Sequence, residues 1–449
     1  MNPKQFLEQE CKNVKEFLKD TLRYKYGSNV SKKYFSECNN RLKYISDEID
    51  NTDPKDLVGL HKNGSLLNEL TGLISRIERS SLGNYSWPFV EQLKKISENI
   101  CTEQTLLNPN TPPIFHIFSG EGLSSYAIYP EQNRVRVSKN RILTIVFPRT
   151  LKHFVLLHSI LGHEIGHAIW RSQSHQHKLS QIMESQLFRS GGPFLDRKTT
   201  AEWLYSDDAP NEVKAQLNIF KNKFRQFKTL TKDNFFDIFA DWDAWKEEIL
   251  CDFIGLLTFG PSFVAAHCQL LYAIVPSGIN VGPKHPPVGF RVNLMLAASR
   301  ILGYETIDGL PKGEILDTLN KFWGELKGKK QTGTWFNPFS DEQIKNVLVE
   351  LQNLIDSYPP ASFELPQKEL LEKLFLQLVS KVPPLGFEMS SDDPVLNEVD
   401  FRHILYIGWI ATHHHSQIPF DIINRLCEHA IMQQIGINTY ISQTKKTAK

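Results

Sequence analysis

The amino-acid sequence predicts a mostly α-helical α+β protein, with a small sheet in the first half of the chain and helical units at both ends. Three observations support this fold class. The 449 residues exceed the usual size of one hydrophobic core, so two or three packed units are expected. Apolar residues recur at helical spacing in both terminal regions. Short β-rich runs separated by turn residues cluster between residues 112 and 149.

The first predicted unit is helical and covers residues 1–110, with breaks at Gly27-Ser28 and Asn51 to Pro54. The core follows at residues 111–327. It begins with three predicted strands, which start at Ile114, Tyr126 and Ile142.

A long apolar helix, Leu151 to Trp170, is predicted after the strands, and a polar insertion fills residues 171–244. Two more apolar helices follow the insertion, at Ala244 to Phe259 and Phe263 to Val275. Residues 328–334 are the best linker candidate, and residues 341–449 are predicted to form a helical C-terminal unit.

Composition describes an ordinary globular chain. Hydrophobic residues make up 41% and charged residues 22%, and 51 Lys and Arg balance 50 Asp and Glu. The one basic stretch, Thr444 to Lys449, is predicted to be a disordered tail. Because no clustered basic face is visible, we expect no nucleic-acid partner.

The cysteines and the apolar segments indicate in which cellular compartment the protein is expected. The six cysteines are scattered and form no CxxC pair, which favours reduced thiols over disulfides or a cysteine zinc site. The N-terminus lacks the apolar run of a secretory signal. Polar residues, among them His267, interrupt the most apolar segment, Gly255 to Val275, which favours core helices over a membrane span. We expect a cytoplasmic protein without a membrane span.

The stretch His158 to Trp170, HSILGHEIGHAIW, carries the strongest chemical signal. His163 and His167 stand four residues apart, so on a helix they share one face and suit a single zinc ion. Glu164 lies beside them and can reach water at the metal as a general base. A chance HExxH, or two histidines that merely pack in a core, is the alternative. His158 lies outside this spacing and is interpreted as structural.

A hydrolytic zinc site needs a third protein ligand. A close third histidine is ruled out, because Gln173 stands at that position and His175 and His177 are out of register. Glu248 and Asp252, four residues apart in an apolar helix, are the better candidates. Glu248 would bind zinc and Asp252 would orient a ligating histidine, unless the two form an exposed acidic face.

Two further histidine segments are ambiguous from sequence alone. His285-Pro-Pro-Val-Gly-Phe-Arg291 reads as a loop that enters a helix. The run His413, His414 and His415 could suggest a second metal site, but consecutive helical residues point about 100° apart and cannot all bind one ion. Surface positions or packing are the simpler interpretations of that run.

Together, His163-Glu-Ile-Gly-His167, Glu248-Ile-Leu-Cys-Asp252 and His285-Pro with Arg291 resemble the gluzincin zinc metallopeptidases of the HtpX and CAAX prenyl protease type. The resemblance implies a zincin-type catalytic core and one Zn²⁺ per chain. It places His163, His167 and Glu248 on zinc, with Glu164 as the base. Asp252 would support a ligand, and His285 and Arg291 would border the site. Ile142 to Phe147 looks like the family's edge strand, which binds extended substrate by strand addition.

The resemblance covers roughly residues 114–302 and has three departures. Cys251 stands where the family commonly has alanine, and the insertion at 171–244 is longer than expected. The membrane helices of the integral members are missing, so neither a prenyl-protein nor a membrane-protein substrate is carried over.

The predicted function is a zinc-dependent peptidase that hydrolyses a protein or peptide substrate with metal-activated water and Glu164 as general base. His285 would donate to the oxyanion or gate the open metal position, and Arg291 would anchor its loop. A mobile loop at Ser190 to Pro193 is predicted to lie near the cleft. The alternatives are a dedicated regulatory protease that cleaves one intracellular partner held by the helical flanks, and a non-catalytic zinc scaffold. A general peptidase should cut casein, whereas neither alternative should.

Overall fold

The computed structural model describes most of the two terminal regions and the elements that carry the predicted site. The described residues are 3–21, 30–75, 85–104, 114–120, 126–130, 142–170, 176–188, 207, 214–215, 218, 222, 242–274, 284–286, 288–304, 339–356, 361–389, 394–414 and 417–447. The chain divides into two compact units, Met1–His153 and Phe154–Lys449. The predicted boundaries at residues 110 and 327 lie outside the described residues, so the three-part division stays a prediction.

The first unit begins with four helices: α1 (Pro3–Thr21), α2 (Val30–Asn51), α3 (Leu57–Ser75) and α4 (Trp87–Gln104). The predicted break at Asn51 to Pro54 is confirmed, because α2 ends and α3 begins on either side of it. The break at Gly27-Ser28 lies outside the described residues. Buried residues at helical spacing, such as Cys11, Val14 and Leu18 of α1, pack into one core with α2 and α3.

The predicted small sheet is confirmed. It consists of β1 (Ile114–Gly120), β2 (Ala127–Pro130) and β3 (Ile142–Pro148), in the order β1-β3-β2. Strand β3 pairs in parallel with β1 and antiparallel with β2.

The prediction that Ile142 to Phe147 forms a substrate-binding edge is wrong, because β3 is paired on both sides. The physical reason lies in its composition. Its described side chains, Thr144 to Phe147, are all buried, and such a continuous apolar run suits a central strand covered on both faces. The ring of Phe147, for example, packs against three other rings. Its centroid lies 6.3, 6.3 and 6.4 Å from those of Tyr85, Phe89 and Tyr126.

The second unit contains the HExxH helix, α5 (Leu161–Trp170), which starts ten residues later than predicted. Two short 3₁₀ helices, Arg149–Leu151 and Val155–Ile160, occupy the region predicted to be its first part. Side chains distant in sequence bind the backbone there. Asn424 Oδ1 accepts from Leu156 N–H at 3.1 Å, and Trp409 Nε1 donates to the Leu156 carbonyl at 3.2 Å. These bonds satisfy backbone groups that a continuous α-helix would otherwise pair.

The helices that follow α5 carry the rest of the predicted site. They are α6 (Gln176–Met183), which continues as a π-helical turn Glu184–Phe188, then α7 (Trp242–Phe259), α8 (Pro261–Ile274) and α9 (Val288–Ile301). The remainder of the predicted insertion lies almost entirely outside the described residues.

Gly260 separates α7 from α8, as its sequence position predicts. It adopts a φ of +58°, which L side chains rarely adopt, and a Cβ atom there would overlap the Phe363 ring. The chain therefore turns within its most apolar segment. Among the described residues, no helix combines the length and the apolar character needed to cross a membrane.

The C-terminal region adds α10 (Asp341–Ile355), α11 (Lys368–Val379), the strand pair β4 (Phe387–Met389) and β5 (Pro394–Leu396), α12 (Phe401–His414) and α13 (Phe420–Thr447). The predicted disordered tail is wrong up to Thr447, because α13 continues through it. Ile441 is buried in this last part of α13, and Lys445 pairs with Glu398 at 3.0 Å, so tertiary contacts hold the basic stretch helical.

Candidate metal centre

The centre is built where α5 and α7 cross at very short range. A Cβ atom added to Gly166 would lie 2.6 Å from Cys251 Cα, and one added to Gly162 would lie 2.9 Å from Gly255 Cα. Small residues four apart on both helices therefore allow the backbones to approach. This contact brings the histidine face of α5 against the acidic face of α7.

The two HExxH histidines point at one carboxylate. His163 and His167 are buried, and their ring centroids lie 4.8 Å apart in an edge-to-face arrangement. His163 Nε2 lies 3.5 Å from Glu248 Oε2, and His167 Nε2 lies 3.5 Å from Glu248 Oε1. The structure thus brings together the three side chains that the sequence predicts as metal ligands.

The opposite ring nitrogens are held by two other carboxylates. His163 Nδ1 lies 2.9 Å from Asp252 Oδ1, and His167 Nδ1 lies 2.7 Å from Glu247 Oε1. An Nδ1–H that donates to a carboxylate leaves the Nε2 lone pair available for a cation. Sequence reasoning singled out Asp252 but missed Glu247, whose only signal is that it adjoins Glu248 in an acidic pair.

Arg291, expected at the edge of the site, is buried within it. Its Nε and Nη2 donate to the two oxygens of Asp252 at 2.8 and 2.7 Å, and its Nη1 lies 3.1 Å from Glu248 Oε2. Burial by itself would raise the pKa of both acids, but the guanidinium charge outweighs it. The pKa of Asp252 is held well below its ordinary value and that of Glu248 is also lowered. Both acids are therefore ionised at neutral pH.

His267 of α8 is a further member that sequence reasoning missed. Its Nε2 lies 3.2 Å from Asp252 Oδ1 and 3.1 Å from Arg291 Nη2. Its ring stacks on His163 at 5.2 Å and on Phe263 at 5.0 Å. Its signal in the sequence is a histidine inside an apolar helix, a feature that by itself argues only against a membrane span.

The protonation states suit metal binding. Burial lowers the pKa of His163 to about 4, although Asp252 and Glu248 oppose the shift, so this ring is neutral at pH 7. Burial also disfavours a charged His167, but the bond to Glu247 and the nearby carboxylates outweigh it and raise its pKa. A cation at Nε2 needs the neutral form of this ring, so zinc affinity should fall as the pH is lowered through the pKa of His167.

Glu164 and His285 are the accessible members of the predicted site. Nine of the ten residues of α5 are buried, and Glu164 is the exception within the helix. The side chain of His285 is 66% exposed, with its Nε2 3.5 Å from Glu248 Oε1. Both side chains are therefore accessible to solvent, unlike the buried side chains around them.

The buried residues of this centre could hold a metal ion. Two sets have ligand atoms that all lie within 4.8 Å of one another: His163, His167 and Cys251, and His163, Asp252 and His267. Burial and the surrounding carboxylates raise the pKa of Cys251 well above its ordinary value, so in the metal-free protein this thiol keeps its proton. In the second set, Arg291 already contacts two of the three side chains, because its Nη2 lies within hydrogen-bond distance of both Asp252 and His267.

The remaining sequence candidates lie apart from this cluster or outside the description. His158 is buried in the 3₁₀ helix. Neither set of possible ligands contains it, and neither contains Glu248, although the Nε2 atoms of His163 and His167 lie 3.5 Å from the oxygens of Glu248. His413 stacks on Trp409 at 5.9 Å. The side chain of His414, all of His415 and the loop at residues 190–193 lie outside the described residues.

No family model, curated protein or solved structure matches the chain. Any functional assignment therefore depends on the residues of this chain and their arrangement.

Proposed function

We propose that this chain is a zinc-dependent peptidase in which His163, His167 and Glu248 hold one Zn²⁺. The observation that carries the proposal is the convergence of both Nε2 atoms, each 3.5 Å away, on the carboxylate of Glu248. Two imidazoles and one carboxylate are a donor set that zinc takes in hydrolytic sites, where the fourth position is left for water.

The chemistry of the donors also argues for zinc over harder cations. Magnesium and calcium prefer shells made of oxygen ligands, whereas two imidazoles beside one carboxylate suit a borderline-soft ion. We take Glu248 rather than Cys251 as the third ligand, because both Nε2 atoms face its carboxylate, which is ionised beside Arg291. Asp252 and Arg291 are each committed to the other, so they hold the ligands in place.

When bound, the zinc ion would act as a Lewis acid that polarises the substrate carbonyl and lowers the pKa of water. Glu164 takes a proton from the attacking water as the new carbon–oxygen bond forms. It then delivers that proton to the departing amine nitrogen as the carbon–nitrogen bond breaks. His285, exposed and next to Glu248, donates a hydrogen bond to the oxyanion that forms on the carbonyl.

The test separates proton transfer from metal binding by comparing Glu164→Gln with Glu248→Ala. Glu164→Gln keeps shape and polarity, so zinc should stay near one per chain while hydrolysis of casein or unfolded peptides falls by about two to four orders of magnitude. Glu248→Ala should lose both zinc and activity, because two histidines hold the ion poorly. Metal analysis and a peptide cleavage profile measure both quantities.

Asp243→Asn is the matched control, since Asp243 lies on the same helix, its side chain is 83% exposed and it pairs with Lys246 at 3.0 Å. Equal zinc loss in Glu164→Gln and Glu248→Ala would contradict the role of Glu164. Full zinc retention in Glu248→Ala would move the third ligand elsewhere. A zinc-loaded wild type that cleaves no peptide in a broad library would overturn the proposal of a general peptidase and leave the two alternatives, a dedicated protease and a non-catalytic scaffold.

A further inference from the structure

We propose that Glu247 is a positioning residue of the metal centre, which fixes the ring of His167 so that its Nε2 faces the ion. This inference rests on the proposed zinc site. It concerns a residue that neither the HExxH motif nor the pairing of Glu248 with Asp252 includes.

The first support is the shortest contact made by either HExxH histidine. Glu247 Oε1 lies 2.7 Å from His167 Nδ1, compared with 2.9 Å between Asp252 and His163. The side chain of Glu247 is 18% exposed and that of His167 is 11% exposed, so solvent screens this bond only partly. A charge-assisted bond of this length defines both the tautomer and the rotation of the ring.

The second support is that two consecutive glutamates contact the same ring from different sides. Adjacent residues on a helix point about 100° apart. Glu248 therefore reaches His167 Nε2 while Glu247 reaches Nδ1. The ring is held at one nitrogen by Glu247 and faces the metal position with the other.

The third support is that different carboxylates contact the two HExxH histidines at Nδ1. Asp252 shares its oxygens with His163, His267 and Arg291. It contacts His163 at Nδ1, whereas the carboxylate at the Nδ1 of His167 is that of Glu247. Orientation of the second histidine therefore falls to Glu247, and a carboxylate acceptor also makes the imidazole a stronger base toward a cation.

The experiment compares Glu247→Ala and Glu247→Gln with wild type and with the control Asp243→Asn. Zinc affinity is measured by competition with a chromophoric chelator. The visible absorption of the Co²⁺-substituted protein reports coordination geometry, and thermal unfolding of the metal-free protein reports folding. Because Asp243 lies one turn earlier on α7, its variant controls for loss of a carboxylate from this helix.

We expect Glu247→Ala to weaken zinc binding by about 10- to 100-fold and to change the Co²⁺ spectrum. Glu247→Gln retains an oxygen acceptor without the charge, so its loss should be smaller and its spectrum close to wild type. The melting temperature of all metal-free variants should stay within about 3 °C of wild type. Asp243→Asn should match wild type in all three measurements.

An unchanged affinity and spectrum in Glu247→Ala would overturn the inference, and so would a loss that Glu247→Gln does not rescue at all. A fall in metal-free stability that parallels the affinity loss would assign Glu247 a purely structural role. If wild type binds neither Zn²⁺ nor Co²⁺, the zinc site itself fails. If Glu248→Ala loses the metal and Glu247→Ala does not, only the present inference fails.

Discussion

Cys251 lies beside both HExxH histidines, yet its surroundings suit packing better than metal binding. A Cβ atom on Gly166 would meet its Cα, Cβ and Sγ, so the residue occupies the contact point of two helices. Burial and, secondarily, the neighbouring carboxylates raise the pKa of its thiol, so in the metal-free protein Cys251 is a small, neutral side chain.

Replacing Cys251 by Ala should therefore leave zinc binding intact. We expect zinc near one per chain, and a loss of about 1 to 2 kcal/mol in the free energy of unfolding from the small cavity left by the sulfur. Metal analysis and urea unfolding measure the two effects. Zinc loss as large as that of Glu248→Ala would instead make Cys251 the third ligand.

At the scale of elements, the crossing of α5 and α7 decides whether the ligands meet. Gly162 and Gly166 on one helix face Gly255 and Cys251 on the other, and a Cβ atom added to any of the three glycines would lie within 3.0 Å of a neighbouring atom. The spacing of four that aligns His163 with His167 also aligns the two glycines of GHEIGH. The short helix α5 therefore carries both the two histidines and the two glycines that allow it to pack closely against α7.

Replacing Gly166 by Ala should lower the free energy of unfolding by about 2 kcal/mol and weaken zinc binding. The added Cβ meets a backbone atom that cannot rotate away, so the cost of overpacking, typically about 1–3 kcal/mol, exceeds the roughly 1 kcal/mol that alanine gains over glycine in a helix. Chemical unfolding and a zinc titration test both effects.

The control for this variant is Gly436→Ala in α13, where an added Cβ has no atom within 4 Å. This substitution should stabilise the protein by about 0.5 to 1 kcal/mol. Equal behaviour of the two variants would contradict the close crossing of α5 and α7.

At the scale of the whole molecule, the predicted sheet and the predicted metal centre belong to different compact units. The sheet belongs to the first unit, while the HExxH helix and every described residue of the metal centre belong to the second. The zincin-type combination of sheet and helix stays a prediction. Four helices, α5, α7, α8 and α9, contribute side chains to the centre, so a bound ion would connect segments distant in sequence.

Removal of the metal should therefore destabilise the second unit selectively. A ligand present at a thousand times its dissociation constant stabilises the folded state by about 4 kcal/mol, and chelation removes that contribution. We expect hydrogen exchange to accelerate in α5, α7 and α9 after chelation, while α1 to α3 keep their protection. Equal acceleration in both units, or none in α5, would argue against a metal that stabilises this centre.

The sequence by itself determined the features that depend on local periodicity. A period near four placed His163 and His167 on one helical face, as it did Glu248 and Asp252. Turn residues marked the end of α7 at Gly260, and β-branched runs marked three strands of the small sheet. In each case the relevant interactions lie within a few residues, so the pattern and the structure carry the same information.

Only the tertiary structure decided which distant segments meet. It placed β3 between two partners, moved the start of α5 to Leu161, and buried Arg291 between two acids. It also brought in Glu247 and His267, which as single residues have no periodic signal. Their roles follow from the packing of α5 against α7, α8 and α9. Such contacts join residues that are far apart in the chain, so no local pattern of the sequence predicts them.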